Sequence, residues 1–365
     1  MVPLFAPVRQ NEPLFAEIQA KFAEVLRSGE YVLGREVAAF EERLSQQLKF
    51  KLAVGVASGT EALVLALRAI GIQPGDEVIT PAFSFVASTN AIVWAGAKPA
   101  FADVDLETAN VTVETVEKAW NSKVRAVIAV DLFGRQAPIE ELKKWCQKKS
   151  IYLIEDGAQS IGVPNLRPDI YTTSFYPTKN VGAVGDAGAV LTDDAEIAMR
   201  VREISRHGGL TRDHYLRVGT TGRIDALQAA ILNVKIPKLE GWTKIHRTLA
   251  ATYRTRLQSL QDSGKIWLPE APKDPLQHVW ALYTVRVPQH RSAFLEALKN
   301  KGVGAAVYYP KIIPRQPVYS APGEFPHSER LAREVLSLPF FAELSSQEID
   351  FVVKQVTECC LSPSI

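Results

Sequence analysis

Apolar positions recur at helical spacing near the start of the chain: Leu14, Ile18, Phe22, Val25 and Leu26, then Val37, Phe40 and Leu44. This predicts two amphipathic helices between residues 11 and 50, punctuated by Gly29 and Gly34. A different rhythm follows. Short apolar runs at 52–57, 77–81, 99–104, 124–132 and 151–154 alternate with helical patterns at 61–70, 85–95, 111–120 and 139–149. Strand alternating with helix predicts βαβ units and a mainly parallel sheet covered on both faces. Ligands of such sheets bind at the carboxyl ends of the strands, so the loops after Ala57, Pro81, Val130 and Ile154 are the ones to inspect. From about residue 235 the rhythm changes again. A long helix carries Leu239, Trp242, Ile245, Leu249, Tyr253 and Leu257. Strands are predicted over 279–287 and 303–309, a helix over 293–301, and a last helix from the capping box Ser345–Glu348 through Val356. The expected architecture is α/β, with a large domain over 1–240 and a smaller α+β domain over 241–365.

Composition narrows the class without naming a chemistry. The 365 residues are 47% hydrophobic and 22% charged, as in a folded globular protein. Lys plus Arg number 42 against 40 Asp plus Glu, a net charge of +2. With no basic block, neither nucleic acid nor a membrane surface is an expected partner. No apolar stretch is long enough to span a bilayer. The N-terminus lacks the basic and apolar regions of a signal peptide. Three cysteines, Cys146, Cys359 and Cys360, make no disulfide framework. No CxxC or HExxH pattern occurs, so no metal site is expected. A cytoplasmic location is the expectation.

Four features fall on the flagged loops or shortly after them. Ser58-Gly59-Thr60 separates a strand from a helix, where free N–H groups and the helix dipole suit a phosphate; an ordinary N-cap has the same appearance. Glu155-Asp156-Gly157-Ala158-Gln159 ends a buried strand, where an acidic pair is costly without a cationic partner. One of these carboxylates could hold a protonated ring nitrogen, a metal or only loop N–H groups. Ser174-Phe-Tyr-Pro-Thr-Lys179 runs into an apolar, glycine-flanked turn. Desolvation there lowers a lysine's pKa, and a neutral amine forms a Schiff base with an aldehyde. The glycines Gly182, Gly185 and Gly188 are spaced GxxGxxG, which does not support a nicotinamide-binding fingerprint.

The combination is more specific than its parts. A phosphate-binding helix start, a strand-end Asp156 and a lysine following it at Lys179 are what pyridoxal 5'-phosphate requires: an anchored phosphate, an acid on the pyridine nitrogen and a Schiff-base amine. Phe85, just after the second strand, is placed to cover the ring.

At this point the sequence resembles the DegT-type sugar aminotransferases, which belong to the fold type I pyridoxal-phosphate enzymes. The likeness runs through Ser28–Gly34, Ala57–Leu63, Pro74–Phe85, Gly96–Asp105, Glu155–Gln159, Ser174–Asn180, Gly185–Val190, Arg206–Gly208, Gly222–Ala230, Tyr308–Pro310 and Leu336–Pro339. The resemblance implies that Lys179 is the Schiff-base lysine and proton shuttle, and that Asp156 pairs with the pyridine nitrogen. Gln159 would lie near the ring hydroxyl, Phe85 on the ring, and Gly59, Thr60 and Ser174 on the phosphate. It implies a homodimer with sites at the interface and a ping-pong reaction. An amino acid, commonly L-glutamate, gives its amino group, which a keto sugar linked to a nucleotide then takes, as in polysaccharide or antibiotic sugar biosynthesis.

Three positions depart from the family's pattern. Thr221 stands where members often carry an Asn that reaches the neighbouring subunit's phosphate, so an altered cofactor contact is expected there. The segment Val163–Tyr171 is short and lacks the customary hairpin. Tyr308 replaces a His before Tyr309-Pro310. Arg206, Arg223, Tyr308 and Tyr309 are the candidate substrate contacts, with Lys311 and Arg315 as further candidates for a pyrophosphate. The alternatives are a sugar dehydratase of the same family, which typically replaces the lysine with histidine, and a cofactor-binding regulator without turnover.

Overall fold

The computed structural model describes residues 1–361. Seven strands build the central sheet: β1 (Leu52–Val56), β2 (Glu77–Pro81), β3 (Lys98–Ala102), β4 (Val124–Val130), β5 (Tyr152–Asp156), β6 (Ile170–Ser174) and β7 (Gly188–Thr192). Their spatial order is β1-β7-β6-β5-β4-β2-β3. Neighbours from β3 to β6 pair in parallel, while β7 lies antiparallel between β6 and β1. Parallel neighbours need crossovers. The helices Ala87–Trp94, Val113–Ala119 and Ile139–Lys149 supply those from β2 to β3, β3 to β4 and β4 to β5.

Alternate residues of the strands feed two cores, as the period of a strand requires. Val54, Val56, Ile170 and Val190 pack with Leu63, Leu67, Ile128, Leu142 and Val201. Their neighbours Ala53, Tyr171, Ala189 and Leu191 pack with Phe40, Leu44, Phe175 and Leu232. Most of the sheet's strands are therefore buried on both faces, which is why β1 and β4 read as near-continuous apolar runs.

The C-terminal part has its own core. β8 (Tyr283–Arg286) and β9 (Val335–Leu338) form an antiparallel pair. They pack with the helices Leu239–Asp262, Arg291–Asn300 and Ser346–Leu361 around Tyr253, Leu257, Tyr283, Phe294, Phe340 and Val352. Tyr253 and Tyr283 stack with centroids 5.0 Å apart. The chain's start joins this core: Val2 is buried in it and bridges to Val303. Arg9 grips Glu348 with two hydrogen bonds of 2.9 and 2.8 Å.

The capping box forms as expected, with Glu348 N–H donating to Ser345 Oγ and Ser345 N–H to Glu348 Oε2. Its helix runs five residues past Val356, to Leu361. The segment Val163–Tyr171 has no hairpin. The strand expected over 303–309 does not form. Val303 and Ala306 make isolated bridges only, to Val2 and Ser337, and Tyr308 and Tyr309 turn to line a cavity. The short strands β6, β7 and β9 were not anticipated. Among the described residues no helix is long and apolar enough to cross a membrane, and no cluster of His, Cys, Asp and Glu could hold a metal ion.

Candidate active site

The carboxyl ends of β4, β5 and β6 meet at one edge of the sheet, where Val130 pairs with Asp156 and Asp156 with Thr172. A cavity of about 380 Å³ opens there. It is lined by Ser58, Gly59, Thr60, Phe85, Asp156, Gln159, Ser174, Lys179, Tyr308 and Tyr309, among others. The loops after β1, β2 and β5 all reach it, as the topology of a parallel sheet requires.

One wall is the start of the helix Gly59–Ala69. Ser58 caps it, its Oγ accepting from Glu61 N–H at 3.0 Å. Gly59 is needed because a Cβ there would sit 2.6 Å from Ser174 Cβ. Helix start and strand end are thereby pressed together, and free backbone N–H groups lie beside the Thr60 and Ser174 hydroxyls. This donor set fits an anion such as phosphate.

Asp156 occupies the end of β5 and is 6% exposed. Ser88 Oγ donates to its Oδ2 at 3.0 Å and Ala158 N–H to its Oδ1 at 3.2 Å. Burial pushes its pKa up, while Ala158, Ser88 and the Lys179 charge pull it down. Lys179 sits half-buried in the loop between β6 and β7. Its N–H donates to Tyr176 O at 2.8 Å. Burial pushes its ammonium pKa down, opposed by the Asp156 carboxylate. A lysine of lowered pKa and a buried carboxylate thus face one cavity that also has a donor set fit for an anion. These are the donors and acceptors a pyridoxal phosphate needs.

The other expected residues are placed unequally. Gln159 Oε1 accepts from Phe133 N–H at 2.8 Å, which orients the amide. Phe85 is 52% exposed at the cavity, its ring 5.9 Å from that of Tyr309. Thr221, Arg206 and Arg223 do not line the cavity of their own chain. Thr221 is exposed and bridges to Arg206, and its Oγ1 lies 3.4 Å from His207 Nε2. Burial and the neighbouring Arg202 lower the pKa of Arg206. Arg315 is committed elsewhere, to Glu329 at 3.0 Å and to Ala321 O and Gly323 O. Lys311 is exposed and lies outside the lining. Sequence reasoning missed Ser88, Tyr176, Thr178 and Asp186, which also line the cavity. Tyr176 and Thr178 lie within the quoted Ser174–Lys179 segment, and Ser88 lies in the first turn of the helix after β2, three residues past Phe85.

Comparison with known proteins agrees with this geometry. The profile of the DegT/DnrJ/EryC1/StrS aminotransferase family matches residues 14–357. A Geobacillus stearothermophilus pleiotropic regulatory protein is 37% identical, over 98% of each chain. A Pseudomonas aeruginosa UDP-2-acetamido-2-deoxy-3-oxo-D-glucuronate aminotransferase is also 37% identical, over 93% of this chain and 95% of its own. The structure of NtdA from Bacillus subtilis, with bound cofactor PMP, superposes with a TM-score of 0.94 at 31% identity, covering 99% of this chain and 85% of its own. Strand-end acid, loop lysine and capped helix start, set in a match along nearly the whole sequence, place the chain in the DegT/DnrJ/EryC1/StrS aminotransferase family.

Proposed function

We infer that this chain is a pyridoxal-phosphate-dependent aminotransferase that moves an amino group from L-glutamate to a keto sugar carried on a nucleotide. The observation that carries the reading is that Lys179 and Asp156 line one cavity together with the Ser58–Thr60 helix start. The Pseudomonas relative, named for a nucleotide-linked oxo sugar, supports the acceptor class.

When bound, pyridoxal phosphate supplies a carbonyl that carries the amino group and a ring that accepts electrons. The protein's part follows from its own groups. Gly59 and Thr60 N–H, with the Thr60 and Ser174 hydroxyls, would hold the phosphate. Asp156, fixed by Ser88 and Ala158, would supply the carboxylate for the ring nitrogen. Gln159, oriented by Phe133 N–H, would serve the ring hydroxyl. Phe85 would cover the ring. Desolvation favours the neutral Lys179 amine, so its Nζ can accept the proton from the donor's α-carbon and return one to the acceptor's carbon.

The working unit in this reading is a homodimer. Residues 211–218 are exposed without interruption. In and beside this segment Leu210, Tyr215, Leu216 and Val218 are 51%, 61%, 60% and 89% exposed. An apolar stretch of this kind marks an association surface. Thr221 and Arg223 follow it, and in a dimer they would serve the neighbour's cavity. Free, buried Cys146, Cys359 and Cys360 fit a reducing cytoplasm. We divide the chain near residue 240, between the sheet cores and the C-terminal core.

The test is optical. Protein loaded with pyridoxal phosphate is expected to be yellow, and glutamate to bleach the band; Lys179→Ala is expected to lose both the band and turnover. Wild-type turnover in that variant overturns the assignment. A regulator without turnover is the second reading, favoured by the name of the Geobacillus relative. It predicts a yellow protein that glutamate does not bleach.

A further inference from the structure

Lys235 ends the helix Ala226–Lys235 and is only 1% exposed. Its Nζ donates to Asn11 Oδ1 at 2.8 Å and to Gly182 O. The Trp242 ring lies 5.8 Å away. Glu343 acts on the ammonium only as a weaker influence than burial, which pushes the Lys235 pKa down to about 8. Burying an ammonium with carbonyl and amide oxygens as its partners is expensive. An apolar side chain of similar length would fill the space at less cost, so packing alone does not account for a lysine.

What the charge holds is the back of the loop carrying Lys179. That loop is folded tightly on itself: a Cβ on Gly182 would lie 2.4 Å from Pro177 O, and Ala183 N–H donates to Phe175 O at 2.7 Å. Two of its carbonyls point away from the cavity toward the first residues of the chain. Asn180 O accepts from Gln10 Nε2 at 3.0 Å. Gly182 O accepts from Lys235, which reaches Asn11 with the same ammonium. Gln10 and Asn11 are neighbours in the short helix Pro7–Asn11. That segment also meets the C-terminal helix through Arg9 and Glu348.

We propose that Lys235 is a positioning residue for Lys179: by tying Gly182 O to Asn11, it pins the lysine loop to the N-terminal helix and fixes how far Lys179 reaches into the cavity. The proposal rests on Lys179 as the reactive lysine, and the N-terminal eleven residues become part of the catalytic framework without touching the cavity.

The decisive measurement is hydrogen exchange on the full-length, cofactor-free protein, with peptides covering 177–183 read against β8 as a control. Lys235→Met is expected to raise exchange over 177–183 about tenfold and leave β8 unchanged. Asn11→Ala, at a half-buried position, is expected to raise it severalfold, and Lys235→Arg, which keeps two donors, to restore most of the protection. The rate at which the visible band forms on adding pyridoxal phosphate is expected to fall about tenfold in Lys235→Met. Wild-type exchange over 177–183 in both Lys235→Met and Asn11→Ala overturns the proposal, as does equal acceleration at β8. Should Lys235→Met not fold, Asn11→Ala alone decides. Failure of Lys179 as the reactive lysine reads differently: exchange would still respond to Lys235, but Lys179→Ala would keep the band.

Discussion

Asp131, directly after β4, is fully buried, and Glu155, beside Asp156 on β5, is 1% exposed. Asp131 accepts from Ala137 N–H at 2.8 Å and from Ser160 Oγ. Glu155 accepts from Gln136 Nε2 at 2.7 Å. Burial pushes Asp131 from its ordinary 3.8 up to about 7, and burial with the neighbouring Asp131 charge pushes Glu155 well above its ordinary value. A carboxyl raised by folding keeps its proton in the folded chain while the unfolded chain releases it. Its contribution to stability is therefore full below about pH 4 and is lost as pH rises to about 7. Asp131→Asn removes that loss. The variant's melting temperature relative to wild type is expected to climb between pH 4 and 7 and then level off, as scanning fluorimetry at several pH values would register; a constant difference would refute the raised Asp131 carboxyl. The sequence made the acidic pair Glu155-Asp156 legible as a charge problem with a cationic solution. For Asp156 the hydrogen bonds come instead from Ser88 and Ala158, with the Lys179 charge a smaller influence. Glu155 is met by the Gln136 amide, and the closeness of Asp131, which comes from strand pairing between β4 and β5, has no local signature.

Among the elements, the start of the helix Gly59–Ala69 was the most legible part of the site. Ser58 and a glycine between an apolar run and a helical pattern predicted a capped, anion-ready end, and the cap is present. What stands opposite it, Ser174, was legible only through the family resemblance and not from the local pattern. Ser174 ends β6, a five-residue strand that follows β5 without a helix, so no change of period announced it. Likewise β7 lay hidden in the glycine series, where Gly188 lets Ser58 approach: a Cβ there would be 2.4 Å from Ser58 O. Conversely, 303–309 has the apolar content of a strand, but its Tyr308 and Tyr309 face the cavity and its backbone finds only single bridges. The contact between Gly59 and Ser174 gives a direct test. Gly59→Ala would force these elements apart, at a cost of about 1–3 kcal/mol for overpacking. A lower urea midpoint is expected, together with cofactor affinity at least about tenfold weaker by dialysis, because the N–H groups and the Ser174 hydroxyl no longer converge. Unchanged affinity would remove this helix start from the phosphate site.

At the scale of the whole molecule, the cavity has walls from one chain, while exposed apolar side chains lie on segments outside its lining. Tyr31 and Val32 are 51% and 54% exposed and connect through Val32 and Asp225 to the segment that carries Thr221 and Arg223. Val218, at 89% exposure, makes no intrachain use of its side chain, and Gly208 and Gly219 fold the segment so closely that a Cβ on Gly219 would lie 2.1 Å from Gly208 N. A tightly folded loop with outward apolar side chains is suited to a partner, and a second copy of this chain is the partner proposed. Wild type is then expected to sediment at twice the 40.2 kDa chain mass, with a melting temperature that rises with protein concentration. Leu216→Asp combined with Val218→Asp places two charges on this surface without touching the core or the chain's own cavity. That variant is expected to sediment as a monomer, keep its fold by circular dichroism and bind pyridoxal phosphate at least about tenfold more weakly, because the neighbour's Thr221 is gone. A wild-type protein that is monomeric with cofactor bound, or a dimeric double variant with undiminished affinity, would assign this surface to something other than the shared site.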